Sequence, residues 1–189
     1  MIETTPSQTM TELGIVQADA DILTRPARPF TLPAEADTAG GVVDDLFAAM
    51  ERVARVHPFA KGMGIAAPQI GIDRCAAVVR PAHPDAPAIV LLNPRVIDQS
   101  DDTDEQYEGC LSFFDVRGLV PRPLHITVET TTLTGELVTA DYHHGLARLV
   151  YHELDHLDGA LYTARMRPGI KPIPVEEYRL SGQNWTYEQ

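Results

Sequence analysis

An α+β fold is predicted for this chain, on three observations. Apolar residues recur at helical spacing in two separated stretches, one over residues 42–53 and one over 146–157. Between them lie four short runs rich in β-branched residues and bounded by turn formers. The last two of those runs are joined by Thr134-Gly135, the composition of a tight hairpin turn.

Taken in order, residues 1–11 carry no apolar period and are expected to be flexible, so that a single domain spans 12–189. Val42, Val43, Leu46, Phe47, Met50 and Val53 mark an early amphipathic helix. Strands are expected at 75–80, 89–93, 124–130 and 136–140. The proline-rich stretch 81–87 reads as a surface loop, with His83 facing solvent rather than a metal. Asp98, Asp101, Asp102, Asp104 and Glu105 make the stretch before Cys110 read as a solvated acidic loop. A second helix runs in from Gly145, with Leu146, Leu149, Val150, Leu154 and Leu157 as its stripe and Gly159 as its stop. From about residue 168 Pro168, Pro172 and Pro174 interrupt any regular structure, and the tail ends in Trp185 and Tyr187, expected to pack back on the body.

Composition narrows the function classes. A net charge of −12 argues against nucleic-acid binding through bulk electrostatics. No apolar run reaches membrane-spanning length, and the first residues lack a basic, apolar signal pattern, so the cytoplasm is expected. Two cysteines, Cys75 and Cys110, do not make a disulfide framework.

The chemistry is concentrated in His152-Glu153-Leu154-Asp155-His156. On a helix, His152 and His156 stand one turn apart on one face and can grip one metal ion, with Glu153 beside them to exchange protons with a water. Burying these groups with no partner is costly, so a metal explains why they interrupt an apolar stripe. A catalytic site of this kind uses three protein ligands and a water. Tyr162 stands where one metalloprotease pattern has a third histidine, and a phenol is a poor substitute. Glu176 lies at the distance another pattern uses, but the proline-rich 168–174 stretch separates it from the helix, leaving it as a solvated charge. Cys110 remains, flanked by Gly109, which lets the backbone turn and approach another group closely.

Three segments together resemble the signature motifs of the peptide deformylase family: residues 62–69 (Gly-Met-Gly-Ile-Ala-Ala-Pro-Gln), 108–112 (Glu-Gly-Cys-Leu-Ser) and 152–156. They occur in the family's order, and a weaker resemblance runs from about Ile15 to Tyr162. The resemblance implies antiparallel or mixed sheets around a central metal-binding helix. It implies one divalent ion on Cys110, His152 and His156, usually Fe²⁺, with Zn²⁺, Ni²⁺ or Co²⁺ able to occupy the same ligands. It also implies Glu153 as the proton carrier, and Gln69 with the Leu111 backbone N–H as donors to an oxyanion. Met63, Gly64, Gly109 and Arg117 are then expected along the substrate. The substrates implied are N-formylmethionyl peptides or nascent chains, met in transient proximity to the ribosome.

Two positions depart from the family pattern near the expected pocket: Phe114 in place of a proline, and Tyr151 in place of a glutamine before the first histidine. Asp155 is expected either to orient a ligand, to pair with Arg122, or to form a surface ion pair. Three other functions stand beside formyl removal from nascent chains: hydrolysis of another N-formyl or N-acyl small molecule, cleavage of internal peptide bonds as a protease, and a metal-stabilised binding module without turnover. The presence of both Gln69 and Glu153 argues against the last.

Overall fold

A computed structural model of the chain describes residues 4–183. In chain order its elements are α1 (Pro6–Glu12), α2 (Ala36–Val56), β1 (Met63–Ala66), β2 (Ala76–Arg80), β3 (Ile89–Leu92), β4 (Arg95–Gln99), β5 (Thr103–Glu108), β6 (Val116–Pro123), β7 (His125–Thr131), β8 (Leu137–His143), α3 (His144–Leu157), β9 (Ile173–Pro174) and α4 (Val175–Leu180). The strands form three three-stranded sheets, in the orders β1-β2-β3, β4-β7-β8 and β5-β6-β9, and every pairing is antiparallel. The α+β expectation holds.

Two apolar clusters hold the sheets to the helices. Val42, Leu46, Met50 and Val53 of α2 pack on Ile65 and Val78 of the first sheet. Val150, Leu154 and Leu157 of α3 pack on Val79 and Leu91 from that sheet and on Ile126 and Val128 of β7. The opposite side of α3 is also buried, although it carries Arg148, His152, Glu153, Asp155 and His156. A helix buried all round with charges on one side needs partners for them. The third sheet supplies these: Arg122 of β6 and Glu108 of β5 are both almost fully enclosed and bond to α3 residues.

Several expectations are corrected. Residues 6–12 are helical rather than flexible, because Thr5 and Gln8 form a capping box, Pro6 opens the helix, and Met10 is buried in the core. The acidic stretch 98–105 is a loop only at residues 100–102: β4 ends at Gln99, β5 starts at Thr103, and Asp104 is paired with Arg148. The tail is not wholly irregular, since β9 pairs with β6 and leads into α4. Its aromatic end, Trp185 and Tyr187, lies outside the described residues. Of the expected strands all four are present, and β1, β4, β5, β6 and β9 are additional. Among the described residues no helix is long and apolar enough to cross a membrane.

Candidate metal centre and substrate cleft

α3 places the imidazoles of His152 and His156 on one side, ring centroids 5.0 Å apart. Cys110 reaches them from the end of β5, where the chain turns into a short 3₁₀ segment at Leu111–Phe113. Its Sγ lies 3.2 Å from His156 Nε2, and donor atoms of Cys110, His152 and His156 all fall within 4.8 Å of one another. Ligands around a tetrahedral ion stand about 3.3–3.7 Å apart, so only a small adjustment would close this set on one ion. A thiolate with two imidazoles suits Fe²⁺ or Zn²⁺ and leaves a fourth position for water.

Orientation of His152 comes from Glu108, whereas His156 Nδ1 is buried without a hydrogen-bond partner. The Glu108 Oε2 accepts from His152 Nδ1 at 2.9 Å, which leaves the other ring nitrogen to face the centre. Its Oε1 accepts from Arg122 Nε at 2.8 Å and Arg148 at 2.7 Å, and its Oε2 also takes a second Arg122 donor at 2.9 Å. Burial alone would push the Glu108 carboxyl up, but Arg122 above all, and then His152, hold it far below the usual carboxylate range. Asp155 is buried too and accepts from Arg122 and Arg165 at 2.6 Å each, so it is part of this inner network and not a surface pair.

The surroundings of the two histidines drive them apart in basicity. Burial disfavours the charged form of both, but hydrogen bonds to Cys110 and Glu108 raise His152 well above the ordinary value. Burial and the neighbouring His152 charge push His156 well below it. Glu153 is pushed up to about 7, mainly by burial, with the carboxylates of Glu108 and Asp155 adding to the effect and His152 and Arg122 opposing it. Its Oε2 is buried without a hydrogen-bond partner. An orphaned carboxyl oxygen beside three converging donors is what a reacting water would satisfy.

A cleft of about 310 Å³ opens onto this centre. Every residue expected along it does line it: Met63, Gly64, Gln69, Gly109, Cys110, Leu111, Arg117, His152 and Glu153, whereas His156 lies behind, fully enclosed. A Cβ at Gly64 would collide with the Glu153 carboxyl, so the absence of a side chain there is what lets β1 run against the acid. Similarly a Cβ at Gly109 would meet the Arg117 guanidinium at 2.7 Å. The Gln69 Oε1 accepts the Ala66 N–H at 3.0 Å, which turns its NH₂ toward Ser112 Oγ at 3.2 Å and Cys110 Sγ at 3.6 Å. Arg117 is anchored by bonds to the carbonyls of Phe114 and Val116, at 2.8 and 2.7 Å, and lies 4.5 Å from the centre of the Phe114 ring.

Phe114 also lines the cleft, as expected of a departure near the pocket. Tyr151 does not: it borders a separate recess with Gln99, Arg122 and Arg165, held there by its hydroxyl on Gln99 and by the guanidinium of Arg165 over its ring. Tyr162 stacks on Phe113, and Glu176 is exposed on α4, so neither takes a ligand's place. Sequence reasoning missed Glu108 as the group that ties the site together, and missed Tyr107 and Tyr178 as cleft residues. A carboxylate two residues before a candidate ligand was a usable signal for the first.

Comparison with known proteins agrees with this geometry. The family model described as polypeptide deformylase matches residues 12–171. A peptide deformylase of Acidobacterium capsulatum is 39% identical over 154 residues, covering 80% of this chain and 85% of that one. Among solved structures, the class I type b peptide deformylase of Acinetobacter baumannii with Met-Ala-Ser bound shares 34% identity at a TM-score of 0.68, covering 80% of this chain and 96% of that one. Peptide deformylase 1B of Arabidopsis thaliana aligns at a TM-score of 0.72 with 30% identity, over 82% of each chain. Because the matched span takes in all three segments that meet at the cleft, the chain belongs to the polypeptide deformylase family.

Proposed function

We propose that this protein hydrolyses the formyl group from the N-terminal formylmethionine of nascent polypeptides, releasing formate. The observation that carries the reading is the buried carboxyl of Glu153, unpartnered at Oε2, beside the converging donors of Cys110, His152 and His156.

The three donors would hold one divalent ion, Fe²⁺ in our reading with Zn²⁺, Ni²⁺ or Co²⁺ as substitutes, and when bound it acidifies a water and polarises the formyl oxygen. Glu153 takes a proton from the attacking water and returns it to the amine as the C–N bond breaks, so that water and formamide become formate and a free N-terminus. Burial raises the Glu153 carboxyl above the ordinary carboxylate range, which favours its taking a proton from the water and holding it for the amine. The Gln69 amide and the Leu111 backbone N–H donate to the oxygen that gains charge. Gly64 and Gly109 leave room for the substrate backbone, with Met63 and Arg117 on the cleft walls. Since formylmethionine is carried by chains leaving a ribosome, the protein would work in the cytoplasm, in transient proximity to ribosomes.

The test is formate release from formyl-Met-Ala-Ser by protein purified without oxygen and loaded with Fe²⁺, with acetyl-Met-Ala-Ser as control. Exclusion of oxygen matters because a thiolate ligand is open to oxidation. Release confined to the formyl peptide is expected; equal turnover of both peptides, or of neither by metal-loaded protein, would refute the reading.

A further inference from the structure

The family match ends at residue 171, yet the cleft wall continues beyond it. β9 pairs with the start of β6, Pro174 opposite Val116 and Ile173 opposite Arg117. The Val175 N–H then donates to the Asp115 carbonyl at 2.8 Å, and the Val175 side chain is buried. This anchoring sets α4 so that Tyr178 turns inward. Its ring lies 5.3 Å from that of Tyr107, tilted by 52°, and both rings line the cleft.

Tyr107 is three residues from Cys110 along the same segment, a separation of at most roughly 10 Å. An extended peptide covers that distance in about three residues. A substrate whose formyl group sits among Cys110, His152 and His156, and whose backbone passes the open edge of β1 at Gly62–Gly64, would bring its second or third residue to the tyrosine pair. Two tilted rings offer an apolar, low-entropy contact surface there.

We propose that Tyr178, carried into the cleft by the β9–α4 segment, is a specificity-determining residue: with Tyr107 it binds the peptide portion that follows the formylmethionine. This rests on the deformylase reading of the centre.

The test compares wild-type protein with Tyr178→Ala and Tyr178→Phe on formyl-Met-Ala-Ser and on formylmethionine amide. Tyr178→Ala should raise KM for the tripeptide about five- to tenfold with kcat unchanged, while KM for the amide moves less than about twofold. Tyr178→Phe, which keeps the ring, should follow the wild type on both substrates. Equal shifts on the two substrates, or no shift on either, would overturn the proposal. If thermal melting shows Tyr178→Ala to be unfolded, Tyr178→Leu takes its place with the same expectation. If wild-type protein releases no formate from either substrate, the deformylase reading is what fails. Calorimetric titration with the peptide Met-Ala-Ser then decides the inference on its own: weaker binding by Tyr178→Ala upholds it, and an unchanged Kd overturns it.

Discussion

The Nδ1 of His152 donates to Glu108 Oε2 across 2.9 Å, and the same carboxylate receives two arginines. Glu108 therefore joins β5 and β6 to α3 and fixes the direction of the His152 ring at the same time. Replacing it by glutamine keeps the size but forfeits the charge that Arg122 and Arg148 require. Metal affinity of Glu108→Gln, measured by competition with a chromophoric chelator, should fall about 10- to 100-fold. Glu108→Ala takes one carboxylate from two buried arginines, leaving Arg122 with Asp155 and Arg148 with Asp104, and should cost at most about 3–5 kcal/mol in denaturant unfolding.

Glu153 touches none of the neighbouring polar groups through Oε2, so its removal should not disturb the donors. Glu153→Ala is expected to bind metal as the wild type does and to release formate about 10²- to 10⁴-fold more slowly. Metal content by elemental analysis, taken beside the rate, checks both halves.

Gly64→Ala places a methyl group against the Glu153 carboxyl. Either β1 or α3 has to give, and β1 is tied along its length to β2. The expected result is a drop in kcat of at least about tenfold, the scale on which displaced catalytic groups lose efficiency. A full-rate variant would show that Glu153 works from another position.

Cys75 is pushed up to about 11 from an ordinary 9.0, by burial first and by the Asp158 charge second. In the folded protein it should react with iodoacetamide about 100-fold more slowly than a free thiol at pH 8, because the thiolate is the nucleophile. The linkage sign follows. Between pH 9 and 11 the unfolded thiol has lost its proton while the folded one keeps it, so stability falls as pH rises through that window. Cys75→Ala should flatten the alkaline limb of a Tm-versus-pH curve.

Loading the protein with Co²⁺ should give a thiolate-to-metal charge-transfer band that Cys110→Ser lacks. The same titration should raise Tm with increasing free metal, since the folded state binds the ion and the unfolded chain holds no preformed site. A band that survives Cys110→Ser would remove the sulfur from the ligand set.

The helices α2 and α3 were legible because burial of one stripe is written at a 3.6-residue period. β5 was not, because Thr-Asp-Glu-Gln-Tyr-Glu reads as an acidic loop unless its partners are known: Asp104 and Glu108 face Arg148 and Arg122, residues 44, 40 and 14 positions away. Those distances cannot be inferred from local pattern. β6 was hidden by Pro121 and Pro123. They are tolerated because β9 pairs only with Val116 and Arg117, so the proline-bearing half of β6 is an edge strand. α1 was readable and overlooked, for Thr5-Pro6-Ser7-Gln8 carries both a capping box and an N1 proline. His152, Glu153, His156 and Cys110 stood out by their chemistry, whereas Gln69, Leu111, Met63, Gly64, Gly109 and Arg117 were reached through the family resemblance. The placement of Tyr178 beside Tyr107 depends on a two-residue strand whose pairing leaves no period to detect.

The ionic hub at Glu108 has a consequence for how the protein is matured. Its guanidinium and imidazole bonds are all made within the polypeptide, so the His152 ring is aligned by the chain itself. An ion bound beside His152 would then meet a ring already held in place by Glu108. Which ion the centre holds becomes a matter of supply and of the relative affinities of the divalent metals rather than of folding.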